Sequence, residues 1–487
     1  MKQKLVFNPY LPSWEYIPDG EPHLFGDRVY LFGSHDCFGA DDYCPNDYVC
    51  WSAPAENLAD WRYEGVIYRK EQDPRSKGKL PLYAPDVAQG PDGRYYLYYS
   101  AQNTGVLSVA VCDTPAGAYE YYGDVHRPDG RVWGTSFADW FEFDPAVLSD
   151  DDGRIWLYSG SAQPYNKRFG HPVVGAFVRE LAPDMLTTIS EPKIIMPVGN
   201  VPGLRQLPQK AAEKTAILRP AFFEGSSIRK FNGQYYFIYA AMNTTGLNYC
   251  VSDRPDEGFA YRGCLHNTSD IGLCGHSVVN AAYPIGNYHG SVVQIGRTYY
   301  VFDHRQTNSC FYCRQSVAQR LTMDENGDFA QAESTSCGLF GDALPAKGIY
   351  PAYIACSLMG RRVLGIHNPL KGPYITQDGP DHSPEDAGPA PEAFITNITG
   401  GSKIGFKYFD FDGTSRTVQL KIRGKARGKI RILDGEKGKC IAEMRFSLDT
   451  AEWKVIKKAM RPQNGKKALY ITFTGSGSLE LKAFALI

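Results

Sequence analysis

The chain has 487 residues, of which 43% are hydrophobic and 22% charged, a balance that excludes wholesale disorder and allows a large buried core. It contains no run of about 18 apolar residues and no apolar signal-peptide segment near its start, so we expect no membrane span and a cytoplasmic location. The net charge of −1 and the lack of a nucleic-acid motif argue against a nucleic-acid partner.

A hairpin motif recurs five times in the first two thirds of the chain. Each copy is a glycine-containing turn followed by an aromatic-rich strand: FGDRVYLFGS from Phe25, DGRYYLYYSA from Asp92, DGRIWLYSGS from Asp152, NGQYYFIYAA from Asn232 and IGRTYYVFDH from Ile295. The turn glycines are 67, 60, 80 and 63 residues apart, and each interval suits four short strands, the content of one propeller blade. The sequence therefore predicts an all-β fold with a five-bladed β-propeller in residues 1–345.

An ionisable residue lies seven or nine positions before each of these glycines. The five residues are Asp19, Asp86, Asp144, Glu224 and His289. The innermost strands of a propeller run side by side around its axis, so their starts converge at one mouth. We therefore expect the five side chains to line one pocket, which is where groups with shifted pKa values are found.

Three of these residues have sequence settings that suit glycoside hydrolysis, which uses one carboxyl group as acid and another as base or nucleophile. Glu224 follows two phenylalanines, so desolvation is expected to keep it protonated as the acid. Asp144 would add a like charge, and Asp19, in a Pro-Asp-Gly turn, suits the ionised base that activates water. Each residue alone has an ordinary structural interpretation, so the hypothesis depends on the five occurring in register.

The composition changes beyond the fifth hairpin. Residues 346–390 are rich in Pro, Gly and acids, which predicts a linker. Residues 391–487 alternate apolar and polar side chains at period two, which predicts a β-sandwich domain. From Gly401 onward there are 19 Lys and Arg against 8 Asp and Glu, whereas the remainder has 33 against 45, and this break also indicates a separate domain.

The twelve cysteines are scattered through apolar, strand-like contexts, which predicts buried thiols rather than a disulfide framework. Cys310 and Cys313 form a single CxxC motif with no second pair at zinc spacing. A metal or redox site there is therefore the less favoured interpretation.

The repeated motifs together resemble those of glycoside hydrolase family 43, whose members are five-bladed propellers that cleave furanosides and xylosides with inversion. The resembling segments span about residues 8 to 330 and are YIPDGEPHLFGDRVYLFGSHD, YAPDVAQGPDGRYYLYYS, FDPAVLSDDDGRIWLYSG, FFEGSSIRKFNGQYYFIYA and YHGSVVQIGRTYYVFDHRQT. The resemblance implies that Asp19 is the general base, Glu224 the general acid, and Asp144 the residue that adjusts the acid's pKa and orients the substrate. It also implies a structural or calcium-associated role for His289 and a substrate contact for Arg314.

Two features depart from or extend this pattern. Many family members have Asp-Pro where this chain has Asp19-Gly20, and Asp36 offers a nearby alternative carboxylate. Three aromatic residues close in sequence to the acids are candidate walls of the sugar subsites, namely Trp14, Phe38 and Trp140.

The C-terminal segment resembles the β-sandwich of family 6 carbohydrate-binding modules. Such modules stack sugars on a pair of aromatic residues, and Trp453 is the only Trp in this segment. A structural partner of the propeller is therefore favoured over an independent sugar-binding module.

The sequence thus predicts an inverting, exo-acting glycosidase that releases arabinofuranosyl (α-L-arabinofuranosidase) or xylosyl (β-xylosidase) units from oligosaccharides of plant hemicellulose or pectin. A galactofuranosidase on the same scaffold and a non-catalytic carbohydrate-binding propeller remain alternatives, whereas a retaining fructosidase or a phosphorylase is disfavoured. No cofactor is expected to be required, although the resemblance allows a structural calcium ion. The expected partner is an oligosaccharide or a polysaccharide fragment, and the sequence makes no prediction of the oligomeric state.

Overall fold

The computed structural model describes residues 6–162, 171–197, 220–242, 244–363, 366–367 and 372–487. Within these ranges the regular structure is β-strand apart from three short 3₁₀ helices, Lys70–Gln72, Gly338–Phe340 and Ala352–Ile354. No helix among the described residues has the length and apolar character needed to cross a membrane.

Five antiparallel sheets in succession form the blades of a propeller, which confirms the predicted fold. Blade I contains β1 (Glu21–Phe25), β2 (Arg28–Phe32), β3 (Tyr48–Pro54) and β4 (Arg62–Tyr68). Blade II contains β5 (Leu82–Gln89), β6 (Tyr95–Ala101), β7 (Leu107–Cys112) and β8 (Glu120–Asp124). Blade III contains β9 (Ala146–Ser149), β10 (Ile155–Ser161), β11 (Gly175–Leu181) and β12 (Lys193–Pro197). Blade IV contains β13 (Phe222–Phe231), β14 (Gln234–Ala241), β15 (Leu247–Ser252) and β16 (Ala260–His266), and blade V contains β17 (Ser291–Ile295), β18 (Thr298–Gln306) and β19 (Arg314–Leu321).

The aromatic strands seen in the sequence are the second strands of the blades, and they are buried on both faces. In β6 every residue after Tyr95 is buried, and β14 is buried from Tyr235 to Ala240. Each blade packs against two neighbours, so both faces of its sheet are covered. One apolar cluster between blades III and IV, for example, joins Trp156 and Tyr158 to Phe237. This packing makes the repeated aromatic strands the core of the propeller.

The ring closes between the first and last blades. Gly20 forms a parallel bridge with Gly290, which places the starts of β1 and β17 side by side. A Cβ on Gly290 would lie 2.0 Å from the carbonyl oxygen of Phe302, so only glycine allows this close approach. On the outer side of blade V, the Asn8 side chain accepts a hydrogen bond from Ala318 N–H (3.0 Å) and donates one to Ala318 O (2.9 Å). The N-terminal segment thereby secures the last blade.

The C-terminal part is one curled nine-stranded sheet that folds over its own core as a β-sandwich. Its short strands are β20 (Leu344–Pro345), β21 (Gly348–Pro351), β22 (Ser357–Met359), β25 (Tyr374–Gln377) and β26 (Ala393–Thr399). Its long strands are β27 (Lys403–Asp412), β28 (Thr417–Leu433), β29 (Cys440–Ala459) and β30 (Asn464–Leu486). A separate two-stranded sheet joins β23 (Arg362–Val363) and β24 (Ile366–His367).

Part of the range 346–390 is built into this sheet. Strand β21 pairs with β30, β22 with β27, and β25 with β26. The composition of this range predicts a linker because Pro and Gly dominate it, but short strands at sheet edges tolerate such residues. The later part, residues 378–392, has no regular strand and matches the linker prediction more closely.

The two domains meet through buried charges. Lys407 of β27 donates to Asp270 (2.6 Å) and to Glu333 (2.9 Å), both of which precede the C-terminal sheet. Its side chain is only 5% exposed, so the ion pair lies away from solvent. At the rim of the same interface, His276 Nε2 lies 3.1 Å from the Glu436 carboxylate. The sandwich is therefore docked on the propeller by specific contacts.

The twelve cysteines are present as thiols, and six of them are buried. The prediction of thiols rather than a disulfide framework agrees with this arrangement.

Candidate active site

A pocket with a volume of about 320 Å³ opens where the inner strands of the blades begin. Four of the five predicted ionisable residues line it, namely Asp19, Asp144, Glu224 and His289. Arg314, at the first position of β19, lines it as well. The remaining lining residues are Tyr43, Cys44, Tyr83, Phe143, Phe223, Asn287 and Tyr288. Residues from five different blades and loops therefore converge on one small cavity, as propeller geometry predicts.

Asp19 is held by two basic side chains from blade V. Arg314 Nη1 donates to Asp19 Oδ1 (2.9 Å), and Asp19 N–H donates to His304 Nδ1 (3.2 Å). The other ring nitrogen of His304 lies 3.3 Å from Asn287 Oδ1, so a neutral imidazole with its proton on Nε2 satisfies both contacts. Burial alone would raise the pKa of Asp19, but the Arg314 guanidinium holds that pKa below its usual value. Asp19 is therefore ionised and ready to accept a proton.

Arg314 joins Asp19 to a second, deeper carboxylate. Its Nε donates to Asp36 Oδ2 (2.8 Å) and its Nη2 to Asp36 Oδ1 (2.9 Å), a two-pronged pair. Asp36 is fully buried, also accepts a hydrogen bond from Cys44 N–H (3.1 Å), and is not among the residues that line the pocket. The structure therefore favours Asp19 over Asp36 as the base. Arg314 is a positioning residue for Asp19, and its contact with substrate stays a prediction.

Asp144 and Glu224 are the other two carboxyl groups that line the pocket. Burial and the nearby Glu224 carboxylate raise the pKa of Asp144 well above its usual range, while a hydrogen bond from Gly225 N–H to Asp144 Oδ2 (2.9 Å) acts in the opposite direction. Two adjacent carboxyl groups in a buried site repel each other when both are ionised, so a proton is retained within the pair. The structure thus places a proton reservoir beside the predicted acid.

The backbone around Glu224 is shaped to aim its side chain into the pocket. Strand β13 has two irregularities against β14, one between Phe222 and Glu224 and the other between Glu224 and Ser227. Bulges of this kind redirect side chains next to active sites. The two phenylalanines before Glu224 therefore lie in different surroundings. Phe222 is buried in the cluster between blades III and IV, and Phe223 lines the pocket. Phe223 therefore shares the pocket with Glu224 and Phe222 does not, which corrects the expectation that both phenylalanines surround the acid.

Gly225 makes this arrangement possible. Its φ of 75° lies in the left-handed region, and a Cβ there would approach within 3.2 Å of His289 Cγ. The glycine therefore lets the chain turn sharply, donate to Asp144 and pass close to the imidazole at the same time.

His289 connects the pocket to the propeller axis. Its Nδ1 lies 3.8 Å from Asp144 Oδ2, and its Nε2 lies 3.8 Å from Glu21 Oε1. Burial lowers the pKa of His289, so the imidazole is neutral. Burial also raises the pKa of Glu21 to about 8. Neither His289 Nε2 nor Glu21 Oε1 has a hydrogen-bond partner among the described residues.

Two sets of atoms are candidates for holding a cation: His289 Nε2 with Glu21 Oε1, which have no partners among the described residues, and a carboxylate and histidine cluster that shares Glu21. Glu21, His23 and Asp86 bring three possible ligand atoms within 4.8 Å of one another. Arg229, however, donates to Glu21 Oε2 and lies 3.3 Å from His23 Nε2, while His23 contacts Asp86 at 2.7 Å. A guanidinium already neutralises this second cluster.

Asp86 does not reach the pocket, contrary to the sequence prediction. It is fully buried below the pocket, where it bonds to His23 and accepts a hydrogen bond from Val147 N–H (2.8 Å). The hairpin after β5 has five residues between its strands, whereas the hairpin after β1 has two, so equal spacing to the glycine does not give equal depth. Asp19 lies six residues before the last residue of β1. The residue six positions before the last residue of β5 is Tyr83, which does line the pocket.

The three predicted aromatic walls also lie elsewhere. Trp14 packs against Trp51 (ring centroids 6.4 Å apart) and Trp140 against Phe177 (5.2 Å). Phe38 stacks on Tyr16 at 6.1 Å. Nearness in sequence to the acids was a weak signal because these side chains pack between strands and loops.

Three of the five aromatic residues that line the pocket follow a simple rule that the sequence analysis missed. Phe143 immediately precedes Asp144, Phe223 precedes Glu224, and Tyr288 precedes His289. An aromatic residue directly before an ionisable residue at the start of an inner strand would have identified them.

Comparison with known proteins agrees with this architecture. The family model for glycosyl hydrolases family 43 matches residues 22–329. A xylosidase/arabinosidase from Thermoclostridium stercorarium is 42% identical over an alignment that covers 99% of both chains. An arabinoxylan arabinofuranohydrolase from Paenibacillus polymyxa is 24% identical, over 98% of this chain and 72% of its own.

Two solved structures share the fold. A family 43 arabinoxylan arabinofuranohydrolase from Bacillus subtilis, in complex with cellotetraose, superposes with a TM-score of 0.50 at 20% identity and covers 98% of this chain and 97% of its own. A family 43 enzyme from Xanthomonas citri, complexed with xylose, gives a TM-score of 0.51 at 23% identity over 67% of this chain and 93% of its own. The first supports the arrangement of both domains, and the second supports the propeller.

Proposed function

The chain belongs to glycosyl hydrolase family 43 and is a glycoside hydrolase, and from that premise we propose that it releases single arabinofuranosyl or xylosyl units from plant oligosaccharides with inversion. The observation that carries the proposal is the meeting of Asp19, Asp144 and Glu224, from three parts of the propeller, in one pocket. The relative that is 42% identical along its full length, a xylosidase/arabinosidase, supports the choice of sugars.

The electrostatics assign different tasks to the two sides of the pocket. On one side the Arg314 contact keeps the pKa of Asp19 low, so Asp19 can remove a proton from the attacking water. On the other side Asp144 and Glu224 retain a proton, and Glu224 delivers it to the glycosidic oxygen as the bond breaks. Once Glu224 has given up the proton, the ionised Asp144 again favours protonation of Glu224. In this proposal acid and base act from opposite faces of the sugar, as inversion requires.

The shape of the pocket supports removal of terminal units. Its volume of about 320 Å³ lies at the small end of ligand pockets, which suits one sugar rather than a chain threaded through it. Aromatic side chains form much of its wall, and these suit the apolar faces of a sugar ring.

A structural calcium ion, which the family resemblance allows, would be held by His289 Nε2 and Glu21 Oε1. Calcium prefers several oxygen ligands, so water would complete its shell. When bound, such an ion would stabilise the axis of the propeller and the position of His289. The proposed roles of the chain's own acids do not depend on it.

Substitution of the two key acids tests this assignment. Glu224→Gln should lower kcat on xylobiose or arabinosylated xylo-oligosaccharides by about 10²–10⁴-fold, since it removes the general acid. On a nitrophenyl glycoside, whose leaving group needs little protonation, the loss should be much smaller. Asp19→Asn should instead reduce turnover of both kinds of substrate.

Glu120→Gln, an exposed Glu on β8, is the matched control and should behave as the wild type. Circular dichroism and melting temperature confirm that each variant is folded. Near-full turnover of oligosaccharides by Glu224→Gln would refute the role of Glu224 as the acid.

Nitrophenyl α-L-arabinofuranoside, β-D-xyloside and β-D-galactofuranoside, compared side by side, identify the sugar. The galactofuranoside is included because a β-D-galactofuranosidase from Aspergillus niger is 25% identical over 69% of this chain. If the protein bound these sugars but hydrolysed none of the three substrates, the result would favour a non-catalytic carbohydrate-binding propeller.

A further inference from the structure

A row of aromatic rings leads from the pocket to the surface. Phe143 lines the pocket, and the ring of Phe141 lies 6.2 Å from it. His171 follows at 5.9 Å from Phe141, and Phe137 at 6.1 Å from His171. The last ring, Phe137, is 77% exposed. The row is therefore continuous from the buried wall of the pocket to solvent.

The exposed end of this row is fixed in place by a buried carboxylate. Asp139, which is 3% exposed, accepts hydrogen bonds from Gly134 N–H (3.0 Å) and Ser136 N–H (3.2 Å) on one oxygen. Its other oxygen accepts a hydrogen bond from Arg127 (2.6 Å). These bonds bracket Phe137, so a large apolar side chain is presented to water on a rigid turn. A single exposed apolar side chain is ordinary on a protein surface, so the significance of Phe137 depends on its place at the end of the row of rings.

The same turn orients the next ring. His171 Nδ1 lies 3.1 Å from the Asp139 carbonyl oxygen, which sets the tilt of the imidazole. Gly105 faces the row from below: a Cβ there would come within 3.3 Å of Phe141 and 3.7 Å of His171 Nε2. The absence of a side chain at Gly105 leaves the rings room to lie side by side.

The row lies on the acid side of the pocket. Phe143 directly precedes Asp144 and lines the pocket together with Asp144 and Glu224, whereas the base Asp19 is held by Arg314 of blade V. In inverting hydrolysis the leaving group departs on the face where the acid protonates it, and water attacks from the other face. The sugars of the leaving group therefore extend past Glu224, and Phe143, where the row begins, lines the same pocket as Glu224.

We propose that Phe137 and His171, which rest on the buried ring of Phe141, form a binding platform for the leaving-group sugars of an oligosaccharide or polysaccharide substrate. This inference rests on the proposed function, because it requires a substrate with sugars beyond the cleaved bond. Aromatic rings stack on the apolar faces of sugars, and a preorganised surface loses little entropy when the sugar binds. The platform favours substrates with a carbohydrate leaving group over those with a small artificial one.

The test compares leaving groups in Phe137→Ala. The measured quantity is the ratio of kcat/KM on arabinosylated xylotriose or xylotriose to kcat/KM on the matching nitrophenyl glycoside. The platform predicts that this ratio falls about three- to tenfold in Phe137→Ala, the size expected for loss of one aromatic contact. Phe137→Trp, which keeps a large aromatic ring, should retain the wild-type ratio. The control Ile349→Ala removes a side chain that is 78% exposed on the C-terminal sheet, and it should leave the ratio unchanged.

An unchanged ratio in Phe137→Ala would overturn the platform. Equal losses on both kinds of substrate would also overturn it, since they would indicate damage to the pocket or the fold. Isothermal titration of the same oligosaccharides into Glu224→Gln, with and without Phe137→Ala, gives a readout that needs no turnover. A three- to tenfold weaker Kd supports the platform, and equal Kd values contradict it. Failure of the wild type on every nitrophenyl glycoside would count against the proposed function itself, whereas normal turnover with an unaltered ratio would remove only the platform.

Discussion

The contact between Arg314 and Asp19 makes a specific prediction about the pH dependence of the reaction. Arg314→Lys keeps one positive charge but cannot hold two carboxylates with a planar fork. The two bonds to Asp36 are deeper in the protein, so we expect a lysine to remain with Asp36 and to lose the 2.9 Å contact with Asp19. The variant therefore removes the main interaction that counters the burial of Asp19.

The size of the effect follows from the two influences on Asp19. Burial raises the pKa of Asp19, and Arg314 is the largest influence that lowers it. A cation beside an aspartate lowers its pKa by about 1–3 units, and each unit corresponds to about 1.4 kcal/mol. Loss of the contact should thus move the acid limb of the kcat/KM profile upward by about 1–3 pH units. The limb moves up because the base must lose its proton before it can activate water.

Arg314→Lys should also lower the stability of the protein, and this loss should depend on pH. A carboxyl group with a lowered pKa in the folded state stabilises the fold above its unfolded pKa, and this contribution is lost as the pH falls through the folded value. In Arg314→Lys, Asp19 becomes a buried carboxyl group with a raised pKa, which destabilises the ionised folded state near neutral pH. The loss of melting temperature should accordingly be larger at pH 7 than at pH 4.

The assay is kcat/KM on a nitrophenyl glycoside from pH 3 to pH 8 at constant ionic strength, since kcat/KM reports the groups of the free enzyme. Arg320→Lys, an exposed position near the other end of β19, is the matched control and should leave the profile in place. An acid limb that stays at its wild-type position in Arg314→Lys would refute the role assigned to Arg314.

Three further outcomes follow from the geometry. Gly225→Ala should lower the free energy of unfolding in denaturant by about 1–2 kcal/mol, because alanine is strained in the left-handed region. It should also reduce kcat, because the added Cβ crowds His289 and shifts Asp144 and Glu224. Lys407→Met should cost about 3–5 kcal/mol in urea unfolding, since it leaves a buried carboxylate without its ammonium partner. Glu436→Gln should lower stability by about 0.5–1 kcal/mol, most strongly between pH 4.5 and pH 6.5. The contact with His276 lowers the pKa of Glu436 to about 2, so its contribution fades below pH 4.5, and it fades above the raised pKa of His276 as the imidazole loses its charge.

Each of these variants has a control or a contrary result. Lys458→Met changes an exposed residue of β29 and should leave unfolding unaffected. Wild-type kinetics in Gly225→Ala would show that the backbone turn does not position the acid pair. A loss of stability in Glu436→Gln that is the same at every pH would show that the charge of the pair is not its cause.

The sequence predicted the propeller because its signals are local. Asn232-Gly233 lies between strands that pair directly, Phe231 with Gln234, and every repeat carries a glycine-containing turn at the corresponding place. Four of five ionisable strand starts then meet in the pocket because the topology brings the inner strands together. Asp86 was misplaced because the length of a turn, rather than the position of its glycine, sets the depth of a residue along the strand.

Features that depend on long-range packing could not be predicted in the same way. The partnership of Arg314 with Asp19 and Asp36 joins residues about 280 to 295 positions apart, and no local pattern encodes it. The strands β21, β22 and β25 pair with sheet edges that a composition rich in Pro and Gly does not reveal. The subsite aromatics required knowledge of which side chains face the pocket, as the packing of the partly buried Trp14 against a cluster from blades I and V illustrates.

The stereochemistry of the first product tests the central claim most directly. Proton NMR of a digest in progress, recorded before the released sugar mutarotates, reports the anomeric configuration at the moment of cleavage. If Glu224 is the acid and Asp19 activates water from the opposite face, the first sugar released has the inverted configuration. Release with the configuration of the substrate would require a covalent intermediate and would contradict the account.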